Sequence, residues 1–165
     1  LATLVQLKGD DQVWDYLEKL HKNISNYTRS GQAQAPNVAK GEVAIGVSFI
    51  FGFELWRHNK YPIKSVAPCE GTAYEIGGIA LVKGARNMAA AKKFYEFALR
   101  ADIQSLAVKA NALQIPSNTM AEIPPKAPRP ESVKLINYDY KKYGASAERR
   151  RLIARWEKEV NSIPR

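Results

Sequence analysis

Two turns in this sequence carry hydroxyl, carboxylate and backbone amide groups in positions suited to ligand binding. Ser30 and Gly31 precede a predicted helix at residues 32–40, and the unpaired N–H groups and dipole at a helix start favour an anion. Glu75 follows a turn containing Thr72 and begins a predicted buried strand, beside the crevice where open α/β sheets bind ligands. The alternatives are that Ser30 only caps the helix and that Glu75 is a hinge residue hydrogen-bonded to backbone. These groups predict binding of a small anionic or hydroxylated solute.

Enzymatic and metal chemistry find little support in the residue types. A thiol enzyme using Cys69 would need a histidine base, and neither His21 nor His58 has a supporting sequence context. His21 is instead expected at the end of an amphipathic helix, near the negative end of the helix dipole. One cysteine and two histidines are also too few for a zinc cage. We therefore expect no catalytic residue, no metal site and no cofactor.

The positive charge of the chain is concentrated towards its C-terminal end. The net charge is +9, and residues 141–165 hold eight Lys and Arg against three Glu. A stand-alone basic α/β domain that binds nucleic acid through its C-terminal helix is therefore the alternative function. Its contacts would come from Arg149, Arg150, Arg151, Arg155 and Lys158. Because no groove-reading motif accompanies these charges, a solvated helix face without a nucleic-acid partner is expected.

Predicted strands and helices alternate along the chain, which indicates an α/β fold. Apolar runs predict strands at residues 43–51, 64–67 and 76–82, and residues 23–30 read as a short β-type segment. Periodic apolar residues predict helices at residues 11–22, 32–40, 53–61, 87–100, 102–109 and 148–160. The proline-rich stretch 115–130 predicts an extended connector. Phe51 and Gly52, at the end of the first strand, would open towards the same crevice as Ser30 and Glu75.

Local signals also predict helix ends and faces. Asp10 or Asp11, Asn87 and Asp102 are candidate N-caps. The last helix has an apolar stripe of Leu152, Ile153, Trp156 and Val160.

A hydrophobic content of 45% over 165 residues suits a folded domain. The longest apolar run, residues 43–51, is shorter than the roughly 20 residues that a bilayer span requires.

Several blocks of sequence, in register from about residue 4 to residue 160, resemble one protein family. They read YTRSG, VAKGEVAIGVSF, PIKSVAPCEGTAYEIGGIALVKGARN and KLINYDYKKYG. Together they resemble the carboxy-terminal half of bacterial periplasmic solute-binding proteins of ABC importers, the type II periplasmic binding proteins. Within this family the chain most resembles the receptors associated with ferric iron, some relatives of which bind phosphorylated sugars or phosphonates. The resemblance implies a non-enzymatic receptor that presents its solute to a membrane permease.

What the resemblance implies for this chain is a lobe with a mixed sheet flanked by helices, a hinge-crossing strand and C-terminal helices. Residues 1–73 would form the second-lobe core, residues 74–120 the hinge strand and helices of the first lobe, and residues 121–165 the returning connector and helices. The implied ligand-binding residues are Ser30, Gly31, Phe51, Gly52, Thr72 and Glu75. A periplasmic location is implied, although residues 1–7 show no signal peptide. In a fragment of such a receptor the helices at residues 87–109 would lose their usual partner surface, so a homodimer or strand exchange that covers them is expected.

Overall fold

The computed structural model describes residues 1–164 as helices joined by non-repetitive segments. A 3₁₀ turn forms at Pro130–Ser132 and a π-helical turn at Glu157–Asn161. The chain divides into two units: unit 1 holds residues 1–28, 68–73 and 133–164, and unit 2 holds residues 29–67 and 74–132. The helices are α1 (Ala2–Lys8), α2 (Gln12–His21), α3 (Gln34–Ala39), α4 (Ile50–His58), α5 (Met88–Ala98), α6 (Ala101–Gln104), α7 (Leu106–Lys109), α8 (Tyr140–Tyr143) and α9 (Ser146–Trp156).

Unit 1 has a hydrophobic core built from large side chains. Helices α1, α2 and α9 each contribute an apolar face, although the sequence pattern had predicted no helix at residues 2–8. The buried members of this core are Val5, Val13, Trp14, Leu17, Leu152 and Val160. Ile153 belongs to the predicted stripe of α9 but is 39% exposed, whereas its neighbour Leu152 is only 3% exposed. The helix therefore buries a narrower face than the sequence pattern indicated.

A charged cluster joins the start of α2 to α9 at the edge of this core. The Asp10 carboxylate lies 2.8 Å from the Arg151 guanidinium and 3.7 Å from that of Arg155. It also accepts a hydrogen bond from the Trp14 indole at 3.2 Å, and Arg155 lies 4.5 Å from the centre of the Trp14 ring. Asp10 is thus not an N-cap, and Asp11, at the cap position, makes no side-chain cap bond. Arg151 and Arg155, which were expected on a solvated helix face, therefore form ion pairs with Asp10.

His21 ends α2 as predicted, but it is completely buried. Its Nε2 lies 3.0 Å from the carbonyl oxygen of Ile163, and its Nδ1 lies 3.0 Å from the Tyr27 hydroxyl. Because a carbonyl only accepts, Nε2 carries the proton and Nδ1 accepts from Tyr27. The imidazole therefore connects α2 to the C-terminal turn, a structural role that leaves neither nitrogen for catalysis.

Unit 2 packs α3 against α4 through small residues. A Cβ added to Gly52 would lie 3.7 Å from the Cβ of Ala35, which is ordinary contact. At Gly46 an added Cβ would approach Val38 to 2.8 Å, so the segment before α4 runs tightly against α3. The proline-rich connector is attached to α6, because Gln104 accepts from the Asn118 amide at 2.9 Å. No helix in residues 1–164 is long and apolar enough to cross a membrane.

The expected mixed sheet is not confirmed. Within residues 1–164 the β-structure is a single parallel bridge between Thr72 and Leu135. Residues 23–30, 43–49, 64–67 and 76–82 form no strand. A strand needs a neighbour for its backbone N–H and C=O groups, and residues 43–49, 64–67 and 76–82 have no strand neighbour in the part of the chain described. The strand predicted at 43–51 is also wrong at its end, since Phe51 and Gly52 lie in the first turn of α4.

The helices follow the sequence predictions more closely, because their hydrogen bonds are local. Asn87 caps α5, with its side chain accepting from the Ala90 amide at 3.1 Å, as predicted. The helix predicted at 53–61 begins earlier, at Ile50. The helix predicted at 102–109 is split into α6 and α7. Asp102 is not its N-cap but lies in the first turn of α6 and pairs with Arg100 at 2.6 Å.

Candidate ligand-binding site

A polar loop and the start of α4 meet in unit 2. The Ser48 hydroxyl donates to the carbonyl oxygen of Gly31 at 2.6 Å, which ties residues 30–32 to the segment entering α4. The Gln32 amide donates to the Ser30 hydroxyl oxygen at 3.3 Å, forming a local turn. Two serine hydroxyls therefore flank the Gly31 backbone beside the N-terminal end of α4.

Gly31 is required at its position by close approach of an aromatic ring. A Cβ placed there would lie 2.7 Å from Cε2 of Phe49, closer than carbon atoms pack. Phe49 in turn stacks on Phe51, with ring centres 5.5 Å apart and planes 15° apart. Any side chain at position 31 would thus displace the aromatic pair that borders the loop.

The N-terminal end of α4 is uncapped by any side chain. Phe49 occupies the cap position in an extended conformation and offers no side-chain acceptor. The Gly52 amide donates to the Phe49 carbonyl oxygen at 3.0 Å. The helix α4 that begins here is nine residues long. First-turn amides and the helix dipole together favour an anion at such an end. The structure thus brings Ser30, Gly31, Phe51 and Gly52 to one place, as the sequence predicted, but around a helix start and not a strand end.

Ser48 was missed as a site residue, although the sequence contains a signal for it. It is the single polar residue in the apolar run at 43–51. In a fully buried strand such a residue would need a hydrogen-bond partner, which here is the Gly31 carbonyl oxygen. An isolated hydroxyl in an apolar run was therefore the available signal.

Thr72 lies in unit 1, and its polar groups are engaged there. Its amide donates to the Lys134 carbonyl oxygen at 2.9 Å, and its carbonyl oxygen accepts from the Ile136 amide at 3.0 Å. The hydroxyl donates to the Ala73 carbonyl oxygen at 3.2 Å. The preceding Gly71 has φ of 120°, which other residues rarely adopt. Thr72 therefore belongs to a bridged turn that is separate from the Ser30 cluster.

Glu75 is exposed and belongs to unit 2. Its carboxylate makes no hydrogen bond and no ion pair within the described residues 1–164. The backbone-bonded hinge arrangement considered from the sequence is thus not formed here. An exposed carboxylate without a protein partner can accept hydrogen bonds from a ligand hydroxyl or amine.

Comparisons with known proteins identify the family. The profile of the bacterial extracellular solute-binding proteins matches residues 1–142. The chain belongs to this family. A relative from Haemophilus influenzae, an uncharacterised protein, is 48% identical over 161 residues, which are 97% of this chain and 46% of that protein.

Two solved structures are similar to this solute-binding chain. The periplasmic binding protein AfuA from Actinobacillus pleuropneumoniae, solved with exogenous fructose-6-phosphate bound, has a TM-score of 0.92 and 47% identity over 98% of this chain and 51% of that one. The periplasmic binding protein P5PA has a TM-score of 0.89 and 32% identity over 96% of this chain and 51% of that one. The chain thus spans about half the length of the relatives it matches. The periplasmic-binding-protein resemblance read from the sequence is confirmed, and family membership implies a periplasmic location.

Solute-binding proteins of this family are non-enzymatic, and the local chemistry of Cys69 agrees with that role. Its exposed thiol donates to the Glu70 carboxylate at 3.3 Å, and not to a histidine. Hydrogen bonds from the Glu70 backbone and from this thiol, with Lys8 and Lys134 nearby, lower the pKa of the Glu70 carboxyl. The hydrogen bond of this thiol therefore runs to a carboxylate, whereas a thiol nucleophile needs a base such as histidine beside it.

Proposed function

We propose that this chain is part of the solute-binding component of an ABC importer and helps to capture a small anionic or hydroxylated solute, of which a sugar phosphate fits best. The observation that carries the proposal is the cluster of Ser30, Gly31 and Ser48 at the uncapped start of α4. A relative with 47% identity, AfuA, was solved with fructose-6-phosphate bound.

The cluster suits a phosphate group for electrostatic reasons. The uncapped amides of α4 carry partial positive charge, and the hydroxyls of Ser30 and Ser48 add polar groups beside them. Phe51 offers a ring face for stacking against the apolar side of a sugar. Glu75 would accept hydrogen bonds from sugar hydroxyls, and Gly52 would line the same solute. In this arrangement the phosphate supplies affinity and the hydroxyl contacts supply selectivity.

The lobe assignment is part of the proposal. Residues 1–73 would form the second-lobe core, residues 74–120 the hinge strand and first-lobe helices, and residues 121–165 the connector and helices that return. The mixed sheet would then form as these segments gain strand neighbours. Closure of two lobes around the solute would create the surface that an ABC permease recognises.

Calorimetric titration of the full gene product that contains this chain tests the ligand. The probes are fructose-6-phosphate, inorganic phosphate and ferric citrate. We expect the sugar phosphate to bind more tightly than phosphate alone, because only the sugar reaches Glu75 and Phe51. Glu75→Ala should weaken sugar-phosphate binding by more than about tenfold, as loss of a charged hydrogen-bond acceptor does.

The matched control is Glu96→Ala, which removes an exposed carboxylate from α5 away from the Ser30 cluster. It should leave the titration unchanged. Equal affinities for the wild type and Glu75→Ala would remove Glu75 from the site. Tight binding of ferric citrate without binding of fructose-6-phosphate would overturn the sugar-phosphate assignment.

A further inference from the structure

Two arginines of α9 are held by carboxylates within unit 1. Arg151 lies 2.8 Å from Asp10 and 2.7 Å from Glu148. Arg155 lies 2.8 Å from Glu159. Because opposite charges this close largely cancel one another at longer range, neither arginine supplies a free positive charge to the surface of the unit.

Four further cations of α8 and α9 are exposed and make no ion pair within residues 1–164. They are Lys141, Lys142, Arg149 and Arg150, and together they are called the basic surface below. The hydrogen bond from Arg151, followed by the charges of Arg151 and Lys142, lowers the pKa of the Glu148 carboxyl, so this carboxylate is bound chiefly by Arg151. Because α8 and α9 are in contact, the four cations lie in one area of unit 1.

The basic surface differs from the apolar segments that are exposed elsewhere in the chain. An apolar segment such as residues 76–82 can be covered by strand neighbours in a longer protein. A cation without a counter-ion resists such burial, because removing an unpaired charge from water is very costly. The apolar face of α9 is already packed in the core of unit 1 at Leu152. Arg150 precedes Leu152 by two positions, which places it on nearly the opposite side of the helix. We therefore expect this side of α9 to face solvent or an anionic partner in the full receptor as well.

We propose that the basic surface attaches the receptor to the anionic phospholipid headgroups of the membrane that holds its permease. The periplasmic location follows from the family, whereas the permease rests on the proposed function. The net charge of +9 on this chain attracts it towards an anionic surface. Clusters of four or more Lys and Arg on an amphipathic helix bind anionic headgroups, and the guanidinium groups of Arg149 and Arg150 match the phosphate in geometry.

The attachment is electrostatic, without insertion of a helix into the bilayer. The apolar face of α9 is occupied by the core of unit 1, so it cannot enter the acyl chains. Ile153, at 39% exposure, is an apolar side chain between the cations and the core, and it suits the boundary between headgroups and acyl chains. Such reversible attachment would keep a loaded receptor close to the permease.

Co-sedimentation with vesicles tests the proposal on the full gene product that contains this chain, without solute. The vesicles consist of phosphatidylcholine alone or of phosphatidylcholine mixed with phosphatidylglycerol. We expect binding to the mixed vesicles only. The binding should weaken steeply with salt, because the screening length falls from about 10 Å at 0.1 M to about 3 Å at 1 M. Absence of binding to the mixed vesicles at low salt would overturn the proposal.

Neutralisation of two arginines tests the location of the contact. Arg149→Gln combined with Arg150→Gln should weaken binding to the mixed vesicles by at least about tenfold, since each cation near an anionic membrane contributes about fivefold. The matched control is Lys92→Gln combined with Lys93→Gln, which removes two adjacent exposed cations from α5. The control should weaken binding by less than about threefold. Equal losses in the two double variants would show that net charge alone attracts the protein and would overturn the assignment to the basic surface.

A DNA duplex tests the other anionic partner that a basic helix could have. Binding of the wild type to the duplex more tightly than to the mixed vesicles, at the same salt concentration, would overturn the choice of lipid. We expect the thermal midpoint of the Arg149→Gln, Arg150→Gln variant to equal that of the wild type, because neither side chain has a protein partner to lose within residues 1–164.

The outcome is separable from that of the solute titration. Arg149 and Arg150 belong to unit 1, whereas Ser30 and Glu75 belong to unit 2. The double arginine variant should therefore bind fructose-6-phosphate as the wild type does. Failure of the titration would leave the vesicle result standing, and the reverse also holds.

Discussion

Truncation of Leu152 measures how far the stability of unit 1 depends on the contact between α9 and α2. Leu152→Ala removes three carbon atoms from a side chain that is 3% exposed within a core of α1, α2 and α9. At about 0.8 kcal/mol per buried carbon group, the transfer cost is about 2.4 kcal/mol. The cavity left behind raises the expected loss to about 3–4 kcal/mol. Ile153→Ala removes the same number of atoms one position along, but its side chain is 39% exposed and leaves no closed cavity, so about 1 kcal/mol is expected.

Urea denaturation followed by tryptophan fluorescence checks this difference. A Trp56→Phe background leaves Trp14 and Trp156, both in unit 1, as the reporters. With a slope of about 2 kcal/mol per molar urea, the Leu152→Ala midpoint should lie about 1 M below that of Ile153→Ala. All samples are compared at one protein concentration because association adds to apparent stability. Equal midpoints would refute the packing of α9 described here and favour the broad apolar stripe.

Two further predictions concern acid stability and the ligand loop. The hydrogen bond from Arg151 lowers the pKa of the Glu148 carboxyl below its ordinary value of 4.5. The ionised Glu148 therefore contributes stability above pH 4.5, and this contribution is lost as the pH falls through the lowered pKa. Arg151→Gln should therefore flatten the loss of the thermal midpoint below about pH 4.5, and an unchanged acid profile would argue against this pair. Gly31→Ala should weaken fructose-6-phosphate binding by about tenfold or more, because its Cβ would lie 2.7 Å from the Phe49 ring; unchanged affinity would separate the aromatic pair from the site.

The helices could be predicted from the sequence because their determinants are local. The apolar spacing of α2 and the Asn87 cap of α5 each operate within one or two turns of chain. At two positions a contact with a distant residue, which no local pattern shows, changes the expected arrangement. Asp10 is drawn from its capping role by Arg151, which lies far along the sequence. The fully buried His21 is hydrogen-bonded to the carbonyl oxygen of Ile163, which is about as far along the sequence.

The strands could not be predicted to the same degree, because a strand is completed by residues elsewhere. The run at 43–51 has the composition of a buried strand, yet Ile45 and Val47 are exposed and α4 begins at Ile50. Composition reports that these residues are suited to burial, while pairing depends on whether a neighbouring strand is within reach. The expected proximity of Ser30 and Gly31 to Phe51 and Gly52 is nevertheless observed, around a helix start, while their role in solute binding stays a prediction.

The two units differ in which apolar side chains they bury and which they expose. Unit 1 buries large side chains such as Trp14 and Leu17 within its own contacts. In unit 2 the buried apolar residues are Leu113 and four alanines, Ala35, Ala39, Ala121 and Ala127, while side chains outside its helices are largely exposed, as at Ile45, Val47, Ile76 and Val82. A unit that has buried its core gains little from association, whereas one with exposed apolar edges gains much. We therefore expect folding stability to reside chiefly in unit 1, whereas the proposed solute contacts of Ser30, Gly31 and Ser48 lie in unit 2.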